Sequence, residues 1–257
     1  MNKSVRQNEI FKLVKKKQTC TIAELADQLN VSGETIRRNV KRLVAEGLVL
    51  KVHGGITLPF LEHEPHLLKR MATQINEKKA IAELVADQIE DGDSVIIDSG
   101  STTAYVAKAL KNHINLTVVT NSSYIASQLA GYNQNRIFMA GGELGAHDAA
   151  AYGPSAIEFI SNFETKKAVL SIAALHETKG CMDHHLCEAE VSRTIIKHAD
   201  TIIVATDSSK FGRTSLMKVC ELDQIDQLVT DKSPNLDLQN SLNAAKVKIM
   251  VANTSSI

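Results

Sequence analysis

From residue 94 onward one arrangement recurs: a short apolar run stops in small polar residues, and in most repeats a helical pattern follows. S-V-I-I-D leads into S-G-S-T-T and a helix, L-T-V-V-T into N-S-S and a helix, and R-I-F-M-A into G-G-E. K-A-V-L-S-I-A leads into A-L-H, T-I-I-V-A-T into D-S-S-K-F-G, Q-L-V-T into D-K, and V-K-I-M-V-A comes last. Runs this short and this rich in Val and Ile read as buried strands. Strands that alternate with helices need crossover connections, which predicts an α/β domain built on a mainly parallel sheet. Neither a solenoid repeat nor a low-complexity tract competes with that reading.

Open α/β sheets bind ligands beyond the carboxyl ends of their strands, where this sequence puts its polar clusters. The sharpest is Asp98-Ser99-Gly100-Ser101-Thr102-Thr103, in which a glycine permits close approach, hydroxyls add donors and a helix begins with free amides. Thr120-Asn121-Ser122 repeats the arrangement, Gly141-Gly142-Glu143 offers a tight loop with a carboxylate, and Asp207-Ser208-Ser209-Lys210 adds a cation. Any one cluster is equally an ordinary helix cap. Four on one sheet edge point to a shared site for an anionic ligand.

The first 58 residues have a different character. They hold 11 Lys/Arg against 5 Asp/Glu, a net of +6, whereas residues 59–257 hold 18 against 24, a net of −6. A formally neutral chain is thus a basic head on an acidic body. Residues 4–16 read as a helix with Val5, Ile10, Leu13 and Val14 inward. Lys15-Lys16-Lys17 at its end serves either the helix C-terminus or DNA phosphate. A capping box at Thr21 and Glu24 opens a short helix with Ile22, Leu25, Ala26 and Leu29 on one face. Asn30 stops it, and Ser32 caps a second helix that runs to about Glu46, with Gly47 as its brake. There Ile36, Val40 and Leu43 share a face, while Glu34, Arg38 and Lys41 point away and Thr35, Arg37 and Arg42 flank them. A helix buried on one side and cationic on the other, entered by a short turn from another helix, is built to enter a major groove. Residues 48–58 alternate and turn at Gly54-Gly55, a two-stranded wing that offers Lys51 and His53 to phosphate or minor groove.

S-G-E-T-I-R-R-N-V-K-R-L, E-G-L and V-H-G-G-I resemble the winged helix-turn-helix of DeoR-type regulators, written S-x-x-T-I-R-R-D-L…L…G…R-x-H-G-G-A. The chain departs from it at Asn39, where the family has Asp, and at Lys51, where it has Arg and its bidentate fork. Asn39 removes a negative charge beside two arginines, which raises nonspecific affinity or loosens the arginine rotamers. D-S-G-S-T-T, T-N-S, G-G-E, Y-G-P, C-E-A-E-V-S-R and D-S-S-K-F-G resemble the family's C-terminal sensor domain, so the likeness spans essentially the whole chain. It implies an N-terminal α+β winged domain and a C-terminal fold similar to ribose-5-phosphate isomerase and CoA-transferases. On the helix and wing reading, the DNA contacts are expected from Ser32, Glu34, Thr35, Arg37, Arg38, Lys41, Lys51 and His53. The effector that the likeness implies is a phosphorylated sugar or related metabolite. Asp98, Gly100, Ser101, Thr102, Thr103, Thr120, Asn121, Ser122, Gly141, Gly142, Glu143, Gly153 and Lys210 would line or shape the pocket, with Glu188 for sugar hydroxyls.

The expected layout is a DNA-binding domain over 1–58, a linker over 59–75 and a sensing domain over 76–257. The stretch from Arg70 reads as one amphipathic helix ending at Asp91-Gly92. His63 and His66 in the linker read as solvated rather than metal-bound. Two segments look particular to this chain: G-A-H-D with His147 and Asp148, and H-E-T-K-G-C-M-D-H-H-L-C with His176, Cys181, Asp183, His184, His185 and Cys187. Their polar groups read ligand hydroxyls or sit solvated, since Cys181, His185 and Cys187 lack a zinc spacing. No metal or cofactor is expected, and the four cysteines, Cys20, Cys181, Cys187 and Cys220, read as free thiols. No apolar run is long enough to span a bilayer, and residues 1–8 lack a signal-peptide core, which points to the cytoplasm. The function that follows is a ligand-controlled repressor, homo-oligomeric because one winged helix covers too little DNA. The alternatives are an isomerase-like enzyme using Asp148, Glu188 and Lys210, and a DNA-organising protein with a degenerate pocket.

Overall fold

The computed structural model describes residues 5–17, 19–45, 48–52, 54–57 and 66–253. The chain divides into two compact units, Met1–Glu64 and Pro65–Ile257.

In the first unit α1 (Val5–Lys17), β1 (Thr19–Thr21), α2 (Ile22–Gln28) and α3 (Gly33–Ala45) precede the strands β2 (Leu50–Val52) and β3 (Gly55–Thr57). The capping box forms as the sequence predicts. The Glu24 amide donates to Thr21 Oγ1 at 3.1 Å, and the Thr21 amide donates to Glu24 Oε2 at 2.8 Å. Asn30, with φ of 48°, ends α2 in the left-handed region that Asn tolerates. Ile10, Val14, Leu25, Ile36, Val40, Leu43, Val49 and Ile56 close one core. The wing is a three-stranded sheet in the order β1-β3-β2, because residues ahead of α2 supply a strand that the alternation of 48–58 does not reveal. Its turn also sits one residue earlier than expected. Gly55 pairs with Val52 inside the ladder, and Gly54, at φ of 76°, takes the turn. Gly55 is needed because a Cβ there would stand 2.3 Å from the Cys20 carbonyl oxygen of β1. Glu46, Gly47 and His53 lie outside the described residues.

The second unit opens with α4 (Leu67–Met71) and α5 (Ile75–Ala86). Here the expectation of one continuous helix from Arg70 fails. Gln74, at φ of 49°, breaks the chain into an elbow, and Lys78 is drawn in to hold it. Nor do residues 67–71 act as a free connector, since Leu67 and Met71 pack with Ala104, Tyr105 and Tyr124. Next come β4 (Ser94–Ile97), α6 (Ser101–Ala109), β5 (Thr117–Thr120), α7 (Ser123–Leu129), β6 (Arg136–Met139), α8 (Pro154–Ile160) and β7 (Thr165–Leu170). A hairpin of β8 (Ala174–His176) and β9 (Gly180–Asp183) follows. The chain then runs through α9 (Leu186–Lys197), β10 (Ala199–Ala205), β11 (Met217–Cys220), β12 (Gln227–Thr230), α10 (Leu236–Ala244) and β13 (Lys248–Val251).

Seven strands form one sheet in the order β13-β12-β10-β7-β4-β5-β6, with every neighbouring pair parallel. A strand buried on both faces must be apolar throughout, and its alternate residues serve opposite layers. Val95 and Ile97 join Ile81, Val85, Val106 and Ile125 in one core, whereas Ile96 joins Ile160, Ile195 and Leu238 in the other. Ile203 and Ala205 divide from Ile202 and Val204 in the same way. The small antiparallel sheet β11-β9-β8 is separate. Among the described residues no helix is long and apolar enough to cross a membrane.

Candidate functional site

Two surfaces carry the polar chemistry, one in each unit. In the first, burial of Ile36, Val40 and Leu43 turns Glu34, Arg37, Arg38, Lys41 and Arg42 outward, and all five are exposed. Ser32 Oγ accepts from the Thr35 amide at 3.3 Å and lies 3.0 Å from Thr35 Oγ1, so both residues order the entrance of α3. Arg37 lies 3.9 Å from Glu34, an exposed pair of little energetic weight that leaves the arginine adaptable. Asn39 donates from Nδ2 to the Thr35 carbonyl at 2.8 Å, a bond an aspartate at this position could not make. Lys51 is exposed on β2.

In the second unit, parallel pairing brings the carboxyl ends of five neighbouring strands to one edge. Asp207 follows β10, Ser171 follows β7, Asp98 follows β4, Asn121 follows β5 and Gly141 lies just beyond β6. Asp98 is 5% exposed. Its Oδ2 accepts from the Ser171 amide at 2.8 Å, while Oδ1 has no hydrogen-bond partner among the described residues. Burial pushes its pKa well above the carboxylate range, and Asp183 adds to the rise. Gly100 answers to packing. A Cβ there would fall 1.8 Å from Ser171 Oγ, so the demand for glycine comes from a neighbouring strand. The amides of Ser101, Thr102 and Thr103 start α6 without intrahelical acceptors. Thr103 Oγ1 lies 3.0 Å from the Asp98 carbonyl and 3.1 Å from that of Gly100, which ties the loop together.

One strand over, Thr120 Oγ1 accepts from the Ser122 amide at 3.0 Å, and Ser122 Oγ caps Ile125 at 3.4 Å. Asn121 donates to the Ala151 carbonyl at 3.1 Å, and its buried Oδ1 is left without a partner among the described residues. Gly141, Gly142 and Glu143 are exposed, and a side chain at Gly141 would meet open space. Asp148, 7% exposed, takes the Tyr152 hydroxyl, the Ala150 amide at 3.2 Å and Ser99 Oγ at 3.4 Å. Burial and the Asp148 charge raise the Tyr152 pKa, so the phenol stays protonated as a donor. Gly153, at φ of 85°, precedes α8, and Glu188 accepts the His185 amide at 3.1 Å in the first turn of α9. Beside Asp148 a pocket of ≈ 580 Å³ opens between His66, Leu67, Tyr124, Ser127 and His147. His66 and His147 stand edge to face there, 4.9 Å apart. His63 lies outside the described residues, and among those described no cluster of His, Cys, Asp or Glu is arranged to hold a metal ion.

Sequence reasoning missed Lys78. It is 3% exposed and donates from Nζ to the Arg70 carbonyl at 2.7 Å and the Thr73 carbonyl at 2.9 Å, which fixes the elbow between α4 and α5. Burial lowers its pKa, Asp207 opposes that shift, and Lys210 and Arg70 reinforce it. Lys78, Arg70, Asp207 and Lys210 are therefore electrostatic neighbours at the strand edge. The signal was present: Lys78 is in helical register with Ile81, Ala82 and Val85, which places a cation on a buried face.

With this geometry in hand, the likeness to known proteins is specific. The DeoR-like helix-turn-helix domain matches residues 6–60, and the DeoR C terminal sensor domain matches residues 73–232. The chain is 34% identical over 242 residues to the glycerol-3-phosphate regulon repressor of Escherichia coli (strain K12), covering 94% of this chain and 96% of that protein. It is 32% identical to the HTH-type transcriptional repressor GlcR of Bacillus subtilis (strain 168), covering 94% of this chain and 93% of that one. Among solved structures, ribose 5-phosphate isomerase A from Methanocaldococcus jannaschii is similar over 52% of this chain and 53% of its own, with 16% identity and a TM-score of 0.38. The chain belongs to the DeoR family of DNA-binding transcriptional regulators, with the family's helix-turn-helix in its first unit and the family's sensor domain in its second.

Proposed function

We propose that this protein is a cytoplasmic, homo-oligomeric repressor of a carbohydrate-utilisation operon, released from operator DNA by a phosphorylated sugar or related metabolite. Ser32, Glu34, Thr35, Arg37, Arg38, Lys41, Lys51 and His53 form the DNA face. Exposed arginines on a helix buried on its other side suit guanine edges, and Ser32 and Thr35 suit phosphate. The effector lies along the strand edge from Lys210 to Glu143, the DNA-binding domain covers 1–58, and the sensing domain of 76–257 takes in the packed helix α4 before it.

The observation that carries this reading is the unfinished hydrogen bonding of Asp98 Oδ1 and Asn121 Oδ1 on neighbouring strand ends. Buried polar atoms are nearly always satisfied, so two orphans on one edge fit a polar ligand. A sugar hydroxyl both donates and accepts, and so satisfies either protonation state of Asp98. The open amides of Ser101 and Thr102, together with Lys210, suit the phosphate. The named function of a relative, repression of a glycerol-3-phosphate regulon, fits an effector of this class. No catalysis is proposed. Asp148 is engaged by Tyr152, Ser99 and Ala150, and Glu188 by the His185 amide, so neither is placed as a free base.

The test is a thermal-stability screen against sugar phosphates and the matching free sugars, followed by operator release with each hit. A ligand that binds only the folded state raises the melting temperature. A phosphorylated hit that dissociates DNA supports the proposal. A hit that tightens DNA binding reverses the switch, and turnover of the hit restores the enzyme.

A further inference from the structure

We infer that Cys181 and Cys220 form a dithiol that closes reversibly into a cross-strand disulfide when the protein meets a peroxide. The two residues are register partners on the antiparallel strands β9 and β11. Opposed residues on such strands have Cα atoms about 4.5–5.5 Å apart, inside the range a disulfide spans without backbone movement. Their thiols are near enough for Cys220 to raise the Cys181 pKa, and both are reduced. Gly180, at φ of 72°, lets the Cys220 carbonyl approach so closely that a Cβ on residue 180 would lie 2.2 Å from it. The closeness of the two strands at this point is therefore built into the backbone.

Both thiols are buried, Cys181 at 0% exposure and Cys220 at 3%. The neighbouring Cys220 thiol, with burial, holds Cys181 in its protonated, unreactive form, so the resting state is the dithiol. Access comes from β11, an edge strand of its three-stranded sheet whose pairing slips at a bulge between Lys218 and Cys220. Edge strands with broken ladders open locally at low cost. On opening, the Cys220 thiolate attacks a peroxide oxygen, the O–O bond breaks and hydroxide leaves, which gives a sulfenic acid. The Cys181 sulfur then attacks the sulfenyl sulfur, the S–O bond breaks, and the thiol proton departs with the oxygen as water. Two thiols and one peroxide become one disulfide and two waters.

The crosslink spans chain that matters to the ligand edge. Between residues 181 and 220 lie α9, β10 and the Asp207–Lys210 turn. The segment after that turn docks on the same small sheet, where the Gly212 amide donates to the Leu175 carbonyl at 2.9 Å and Leu175 itself pairs with Cys181. The chemistry does not depend on the effector reading, so the two proposals fail separately.

The test uses the full chain with Cys20→Ser and Cys187→Ser, treated with hydrogen peroxide and digested without reductant. The expected product is one crosslinked peptide pair carrying Cys181 and Cys220, two hydrogens lighter than the sum and separated by dithiothreitol. The rate should rise in mild urea, because opening limits it. The oxidised protein should melt about 4 °C or more higher than the reduced form, since the covalent loop constrains the unfolded chain. Adding Cys181→Ser or Cys220→Ser should abolish the crosslink. Recovery of both cysteines as free thiols or as separate sulfinic acids would overturn the inference. So would a lower melting temperature after crosslinking, which would mean that the bond forms only by distorting the strands.

Discussion

The two ends of strand β4 carry aspartates with similar burial and opposite chemistry. Asp93 precedes the strand at 2% exposure and Asp98 follows it at 5%. Asp93 is fully engaged: Lys167 Nζ lies 2.6 Å away, Lys166 Nζ 3.0 Å, and the Glu90 amide donates at 3.0 Å. Burial pushes its pKa up, but the lysine and amide contacts outweigh that and hold it at about 2. At Asp98 burial, helped by the Asp183 charge, outweighs the Ser171 amide, the Thr103 hydroxyl and the Arg70 charge, so its pKa rises, and its Oδ1 has no hydrogen-bond partner among the described residues. At the amino end of β4 the buried charge is matched by its neighbours. At its carboxyl end Asp98 is buried with one oxygen unpartnered among the described residues, at a cost in stability.

Ranked by their cost to folding, substitutions at the two ends should separate the roles. Gly100→Ala should be the most damaging, by about 2–3 kcal/mol in urea denaturation, because its Cβ would meet Ser171 Oγ at 1.8 Å and Ser171 Cβ at 2.7 Å. Adding Ser171→Gly should recover most of the loss. A wild-type midpoint for the single variant would mean that the edge is not rigid. Asp93→Asn should come next, at about 1–2 kcal/mol near neutral pH. Lys167 carries most of it, since its side chain is 20% exposed and that of Lys166 is 64% exposed and screened. Asp93 has a depressed folded pKa, so its contribution exists above the unfolded value near 4 and disappears as pH falls toward 2. The variant and native curves should converge there, and a gap constant with pH would remove the ion pairs from the explanation.

Asp98→Asn has the opposite sign. A carboxyl whose folded pKa is raised contributes most below its unfolded value, and that contribution is lost as pH rises toward the folded pKa. The Asn variant keeps an acceptor for the Ser171 amide and carries no charge, so it should gain on the native protein from pH 4 upward. Parallel pH–stability curves would show that Asp98 is already satisfied as a carboxylate, and the contrast between the two ends would fail.

Much of this was legible in the residues, for identifiable reasons. The recognition helix declares itself because its burial is one-sided, so Ile36, Val40 and Leu43 stand at a helical period. The strand ends declare themselves because a parallel sheet turns each apolar run into a strand and each polar stop into an edge residue. What escaped depends on contacts distant in sequence. The demand for glycine at 100 comes from Ser171, and that at 55 from Cys20. The break at Gln74 is stabilised by Lys78, whose hydrogen bonds hold the elbow, and the strand Thr19–Thr21 exists because β3 is available to pair with it. Periodicity reports the environment of a side chain and is silent about which distant atom creates it.

Lys210→Ala should cost little stability, since the residue is only half-buried in the turn after β10, and it should abolish the effector's action on operator binding while DNA affinity survives. A normal response would remove Lys210 from the ligand edge. Arg38→Ala should be the gentlest of all to the fold, within about 0.5 kcal/mol, because it is an exposed position on a helix anchored from its other face. Its effect should appear only against DNA, as a loss of about 1–3 kcal/mol in operator binding with relaxed sequence preference and an unchanged effector midpoint. A uniform loss across all sequences with a shallower salt slope would instead make Arg38 a phosphate contact. In either outcome Arg38 and Lys210 would separate function from stability, whereas at Asp98, buried at the strand end, one group would serve both.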